Sequence, residues 1–383
     1  MSVTFHNHQR LYARRKPEID AAIARVIASG RFDWGDEVPA FEAEFAAWNG
    51  ARFAVAVNSG TAALKVALLA LGVGPGDEVI TVANTDIASS SAIHMTGATV
   101  KWVDVDPVTR TMDVAALEAA ITPRTRAVMP VDLYGHPARM KAIMAVAGRH
   151  GLFVVEDACL ALGATIDGVK IGTLADVTCF SFAPSKHLGS FGSGGACLTE
   201  DADLAERMRK LSAYGQERAR HYAMHGPRGM GGLVHETQGL NERLDELQAA
   251  ILRARLPDLD AMLAERRSQA DLYLEGLTGL GLVLPRTLDG YEHAWRNFVV
   301  ETDDRDGLGD RLAELGIATN LTYAPPMHLQ PAFRFLDVRE GALPVTERSC
   351  QRLLGLPIGP QLTREQVAEV IALLGDLGIN AVR

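Results

Sequence analysis

The sequence predicts an α/β fold, with a large domain on a mostly parallel sheet and a smaller α/β domain after it. Three observations predict it. Across residues 38–257, runs with strand character alternate with runs of helical period. The run Leu152, Phe153, Val154, Val155 is apolar throughout and ends in Glu156 and Asp157, as a parallel strand buried on both faces would be. Directly after Phe53–Val57, the period changes from strand to helix at a Ser59-Gly60-Thr61 turn.

Taken in order, a helix over residues 17–29 closed by Gly30 precedes a loop around Trp34 and Gly35, so residues 1–35 read as an N-terminal arm. Strands are expected at Phe53–Val57, Glu78–Val82, 99–105, 127–133 and 152–155, where β-branched and apolar residues concentrate. The run Val177, Thr178, Cys179, Phe180, Ser181, Phe182 reads as a further strand, which Pro184 ends. The glycine-rich stretch 189–195 after it has no periodicity and reads as a loop. Residues 242–256 place Leu244, Leu247 and Ile251 at spacings of three and four, an amphipathic helix that Pro257 interrupts. The expected division is therefore an arm 1–35, a large domain 36–257 and a small domain 258–383. Within the last, Phe298–Glu301 is strand-like, and 307–315 and 363–374 are helical.

A chain of 383 residues exceeds what one small core serves, which agrees with two domains. Its 38 basic and 47 acidic residues leave a formal charge of −9. That balance argues against nucleic acid or an anionic membrane as partner, and any anionic ligand would need a local pocket. Cys159, Cys179, Cys197 and Cys350 have no CxxC or zinc-ligand spacing and read as core thiols. His221 and His225 are four apart, but Tyr222 stands where HExxH requires glutamate, so no metal is expected. Residues 1–15 carry no charged-then-apolar signal, and no stretch of about 18 apolar residues occurs. A soluble, cytoplasmic, reducing setting is expected.

Three features carry the chemistry. The Ser59-Gly60-Thr61 turn opening a helix offers amides, hydroxyls and a positive dipole end to a phosphate, though alone it is equally a helix cap. Asp157 stands at a strand terminus, where open α/β sheets place ligands, and can meet a cation; its bland reading is a cap or a surface ion pair. Lys186 follows a strand and opens a glycine-rich loop, where an amine beside a cavity can bond an aldehyde; most lysines are simply solvated. Phosphate cradle, strand-end carboxylate and loop lysine, in that order, suggest pyridoxal phosphate. Stretch 189–195 follows that lysine rather than linking strand to helix, which argues against a dinucleotide loop.

Over nearly its whole length the chain resembles the DegT/DnrJ/EryC1/StrS family of sugar aminotransferases, within the fold type I pyridoxal phosphate enzymes. The matching stretches are 58–64, 130–137 (Pro-Val-Asp-Leu-Tyr-Gly-His-Pro), 156–164, 181–195 and 239–250. The resemblance implies a mostly parallel seven-stranded sheet in the large domain. It implies pyridoxal 5'-phosphate as cofactor, passing through pyridoxamine 5'-phosphate. It also implies transfer of an amino group from L-glutamate or L-glutamine to a keto group of a nucleotide-linked sugar, or of a free sugar or cyclitol, in aminosugar biosynthesis. By the same resemblance Lys186 would join the cofactor aldehyde and then act as base, and Asp157 would pair with the pyridine nitrogen. Gly60, Thr61 and Ser181 would hold the phosphate. Asn241 and Arg243 would reach the neighbouring protomer's site, which implies a homodimer with composite sites. Asp86, His187, Arg243, Tyr323 and His328 fall at substrate-pocket positions, each with a packing, capping or ion-pair role as its alternative.

Two departures stand out against the family pattern. The glutamine usual three residues after the aspartate is Leu160 here, which has no donor, and the residue that stacks on the cofactor ring falls at Asp86, which cannot stack. Asp86 reads either as a contact to a substrate hydroxyl or cation, or as a turn carboxylate. Two further classes stay open. A family-related lyase or dehydratase is disfavoured by Lys186, because family dehydratases typically carry histidine there. A non-catalytic sensor relative is kept open by Leu160.

Overall fold

Seven short runs of β-branched and small apolar residues pair into one sheet. They are β1 (Phe53–Val57), β2 (Glu78–Val82), β3 (Thr99–Val103), β4 (Thr125–Val128), β5 (Phe153–Asp157), β6 (Val177–Ser181) and β7 (Gly195–Thr199), in the order β1-β7-β6-β5-β4-β2-β3. The computed structural model describes residues 3–216 and 235–378; His221 and His225 lie outside them. Neighbouring strands from β3 through β2, β4 and β5 to β6 are parallel, while β7 runs antiparallel between β6 and β1.

Both faces of the sheet are covered, and the strand period of two divides its residues between two cores. Ile80, Val82, Val128 and Val154 face one core, whereas Val79, Ala127, Val155 and Val177 face the other. This is why the strands read as continuous apolar runs. A third core joins β8 (Phe298–Glu301) and β9 (Leu353–Leu356), which pair antiparallel, to Tyr273 and Leu308 and to Val367, Val370 and Leu374 of the helix Arg364–Asp376. Val3 enters this last core and pairs with Ile317, while the helix Lys16–Ser29 packs Ala22 and Val26 against Ala250.

Several boundaries differ from the sequence expectation. The strand expected at 127–133 ends at Val128, and the chain then turns through Leu133–Gly135, where Tyr134 has a φ of 60°. The strand expected at 99–105 ends at Val103. The helix expected over 242–256 begins at Glu246, because the backbone of Asn241 and Arg243 is engaged in bridges to Ala213 and Val57. At Pro257 a single turn, Leu256–Asp258, leads into the helix Leu259–Gly276. All four cysteines are free thiols. Among the described residues, no helix is long and apolar enough to cross a membrane.

Candidate active site

The ends of β1, β5 and β6 bring the candidate residues together. After β1, Ser59 caps the helix Gly60–Ala70 by accepting from the Ala62 amide at 3.1 Å. The Gly60 and Thr61 amides have no backbone partner, and the Thr61 hydroxyl makes no bond among the described residues. A Cβ at position 60 would lie 2.7 Å from Ser181 Cβ and 3.0 Å from Cys159 Sγ, so only glycine lets the turn lie against the end of β6. Free amides at a helix N-terminus thus lie against Ser181 at the end of β6, an arrangement suited to a phosphate.

Asp157, the last residue of β5, is buried, and both its oxygens are engaged. Oδ2 accepts from Ser89 Oγ at 2.7 Å and Oδ1 from the Cys159 amide at 3.2 Å. Ser89 Oγ also lies 2.9 Å from Thr85 Oγ1. Because Ser89 gives its one proton to the carboxylate, Thr85 must be the donor of that second bond. Burial pushes the Asp157 carboxyl up, and the bonds from Ser89 and Cys159, with the charge of Lys186, oppose it.

Lys186 leaves β6 through a turn in which its amide donates to Ala183 O at 2.8 Å. Burial lowers its pKa and the Arg296 charge adds to this, while Cys159, Asp157 and Asp86 oppose. A lysine held closer to its neutral form is a nucleophile and a base. Tyr323 borders the same space, within electrostatic reach of Asp86, Arg296 and Asp157, and burial pushes its phenol up.

The other expected residues are placed as follows. Asp86 is exposed and caps the helix Ile87–Met95, with Oδ1 accepting from Ala88 at 2.9 Å, so the turn role is realised while its charge still bears on Lys186. His187 is buried with Nε2 on Ala294 O at 2.9 Å, and burial pushes it well below its ordinary value. His328 is buried with Nε2 2.9 Å from Glu347. Asn241 is exposed, with its carbonyl bonded by Asn58 Nδ2 at 3.3 Å. Arg243 turns to Asp33 at 3.1 Å and lies over the Trp34 and Tyr214 rings. Leu160 is packed in the core.

Sequence reasoning missed Ser89, which fixes Asp157, and Arg296, a buried guanidinium beside Lys186. The i, i+4 spacing of Thr85 and Ser89 is a weak signal for the first. For the second, the signal is a lone arginine in His293-Ala294-Trp295-Arg296-Asn297, just before the strand-like Phe298–Glu301.

A profile of the DegT/DnrJ/EryC1/StrS aminotransferase family matches residues 14–375. The chain belongs to that family. It is a pyridoxal-phosphate-dependent aminotransferase, and the residues gathered at the ends of β1, β5 and β6 fit the cofactor's phosphate, ring nitrogen and aldehyde. This aminotransferase is 47% identical over 370 residues to the dTDP-3-amino-3,4,6-trideoxy-alpha-D-glucose transaminase of Streptomyces venezuelae, covering 96% of this chain and 94% of that protein. It is 44% identical over 375 residues to the erythromycin biosynthesis sensory transduction protein EryC1 of Saccharopolyspora erythraea, covering 98% and 99%. Its structure matches S. venezuelae DesV, solved in complex with a ketimine intermediate, with a TM-score of 0.93, 46% identity and 98% of each chain covered.

Proposed function

We propose that this aminotransferase moves an amino group from L-glutamate or L-glutamine to a keto group of a nucleotide-linked sugar, or of a related sugar or cyclitol, in aminosugar biosynthesis. The observation that carries the reading is a half-buried Lys186 amine near an Asp157 carboxylate whose two oxygens are both held, with a free-amide turn close by. The nucleotide-sugar substrate class is supported by the relative from S. venezuelae, whose name specifies a dTDP-sugar transaminase.

Once bound, pyridoxal phosphate supplies an aldehyde to receive the amino group and a ring to spread the electron pair left when the donor α-proton departs. The chain supplies the rest. Asp157, oriented by Ser89 and the Cys159 amide, is a carboxylate ready for a protonated ring nitrogen. Lys186 carries the proton on Nζ, a role worth roughly 10²- to 10⁴-fold. Gly60, Thr61 and Ser181 bind and orient the phosphate. Retention of an amine at position 186 favours amino transfer over a dehydratase or a sensor.

The same reading includes a homodimer, supported by the exposed Asn241 and by Arg243, whose side chain pairs with Asp33. It includes the division into 1–35, 36–257 and 258–383, supported by the separate core around β8 and β9. A cytoplasmic setting is supported by four free thiols.

The test is to add L-glutamate, and separately L-glutamine, to purified holoenzyme and follow the cofactor's visible absorbance, with Lys186→Ala as control. Conversion to the pyridoxamine form with one donor is expected, and its absence in the control. A protein with no bound chromophore, or no shift with either donor, would overturn the reading.

A further inference from the structure

Among the described residues, Arg296 is a buried cation that meets no counter-charge. The residue is 6% exposed, and its Nε is sealed without an acceptor. Among the described residues, no carboxylate or carbonyl accepts from its guanidinium. The titratable groups that feel it are mostly bases: its charge lowers the pKa of Lys186, His187, His6 and Arg266, and the Tyr323 phenol is the group that would favour its charge. A lone guanidinium out of water is costly, and a chain keeps one where an anion arrives to meet it.

Its surroundings are built. Ala294 donates from N to Gly135 O at 2.8 Å and accepts at O from His187, and the Asn297 amide donates to Tyr134 O at 3.1 Å. Trp295 O accepts from Arg266 Nη1 at 3.1 Å. The backbone on both sides of Arg296 is therefore clamped, which fixes the point from which its side chain leaves. Arg266 makes the contrast: it is equally buried, but Nη1 reaches two carbonyls, Trp295 O and Ile358 O at 3.2 Å. Where an arginine holds the fold together here, it has acceptors.

We propose that Arg296 is the subsite for the α-carboxylate of the amino-acid donor, an inference that rests on the amino-transfer reading. That carboxylate is attached to the carbon that bears the reacting nitrogen, so it must sit close to the Lys186 amine, within the field of Arg296. A guanidinium grips a carboxylate through two parallel N–H bonds, which fixes the donor's rotation as well as its place. The Tyr323 hydroxyl, with no hydrogen bond among the described residues, stands on the same side as a further donor. A carboxylate could also come from an acidic acceptor sugar, and the two sources are separable.

The experiment uses holoenzyme, Arg296→Gln and Arg296→Lys, with three readouts: saturation of the absorbance shift by L-glutamate, calorimetric titration with maleate and separately with D-glucuronate, and melting without ligand. In Arg296→Gln the half-saturating glutamate concentration should rise about a hundredfold and maleate binding should weaken at least about tenfold. Arg296→Lys should recover part of both. The ligand-free melting temperature of Arg296→Gln should be unchanged or higher, because a lone buried charge is gone; an arginine with a merely structural role would lower it. Unchanged glutamate saturation in Arg296→Gln, or no maleate binding to the wild type, overturns the proposal. Tighter binding of glucuronate than maleate, lost in Arg296→Gln, overturns the donor assignment in favour of an acceptor carboxylate. A wild type that binds maleate but shifts with neither glutamate nor glutamine sinks the amino-transfer reading instead.

Discussion

Glu156 and Asp157 are consecutive acids at the end of β5, and the strand's alternation sends them to opposite sides of the sheet. Asp157 meets donors at both oxygens and has a lysine nearby, so it is equipped to be an anion. Glu156 accepts from Thr178 Oγ1 at 2.7 Å with one oxygen, while its other oxygen and Asp132 Oδ2 find no donor among the described residues. These two buried carboxyls interact with each other, and one proton shared between them would satisfy both. The difference teaches that the same functional group one residue apart is equipped for charge on one face and for cohesion on the other. The donors around it decide which.

The comparison can be broken most strongly at Asp157. Asp157→Asn should slow exchange of the donor α-proton by about 10²- to 10⁴-fold, with a melting temperature close to wild type. Exchange at the wild-type rate would remove Asp157 from the chemistry. Glu156→Gln should do the reverse, leaving proton exchange intact and changing how stability depends on pH. Burial pushes Glu156 up from 4.5 to about 7 and Asp132 above its usual range. Both hold protons more tightly when folded than unfolded, so their stabilisation is complete below about pH 4 and is lost as pH rises toward 7. The glutamine amide donates to Asp132 without a titrating proton, so the variant should gain on wild type with rising pH, on the order of 2 kcal/mol by about pH 8. A constant difference in melting temperature across that range would refute the shared proton. The smallest effects separate the two faces again. Ser89→Ala should cost roughly tenfold in rate with little change in stability, since it removes one bond to a carboxylate, and Thr178→Val should cost about 1 kcal/mol of stability with no change in rate.

Much of the fold was legible because burial on both faces leaves a dense local pattern. Phe53–Val57, Glu78–Val82 and Phe298–Glu301 are strands with the bounds their β-branched content suggests. β7 was not, because Gly195-Ala196-Cys197-Leu198-Thr199 has little β-branched content and follows a glycine run; it is a strand because β1 and β6 both lend it hydrogen-bonding edges. The residues at positions 157 and 186 could be read from local order along the chain. Ser89 and Arg296 could not, since each acquires meaning only through residues far away in sequence, such as the 68 positions between Ser89 and Asp157.

The reversed direction of β7 has a mechanical consequence. Its first residue, Gly195, stands in register with both Val57 at the end of β1 and Ser181 at the end of β6, and any side chain there would run into the Ser59 carbonyl. The two sides of the proposed phosphate cradle are thus spaced by bare backbone, as by a gauge block whose width is the interstrand distance, about 4.8 Å per step. No exchange of side chains at that point can widen or narrow the grip without parting the strands. Adaptation to a new sugar would then have to happen elsewhere in the site, while this spacing stays constant.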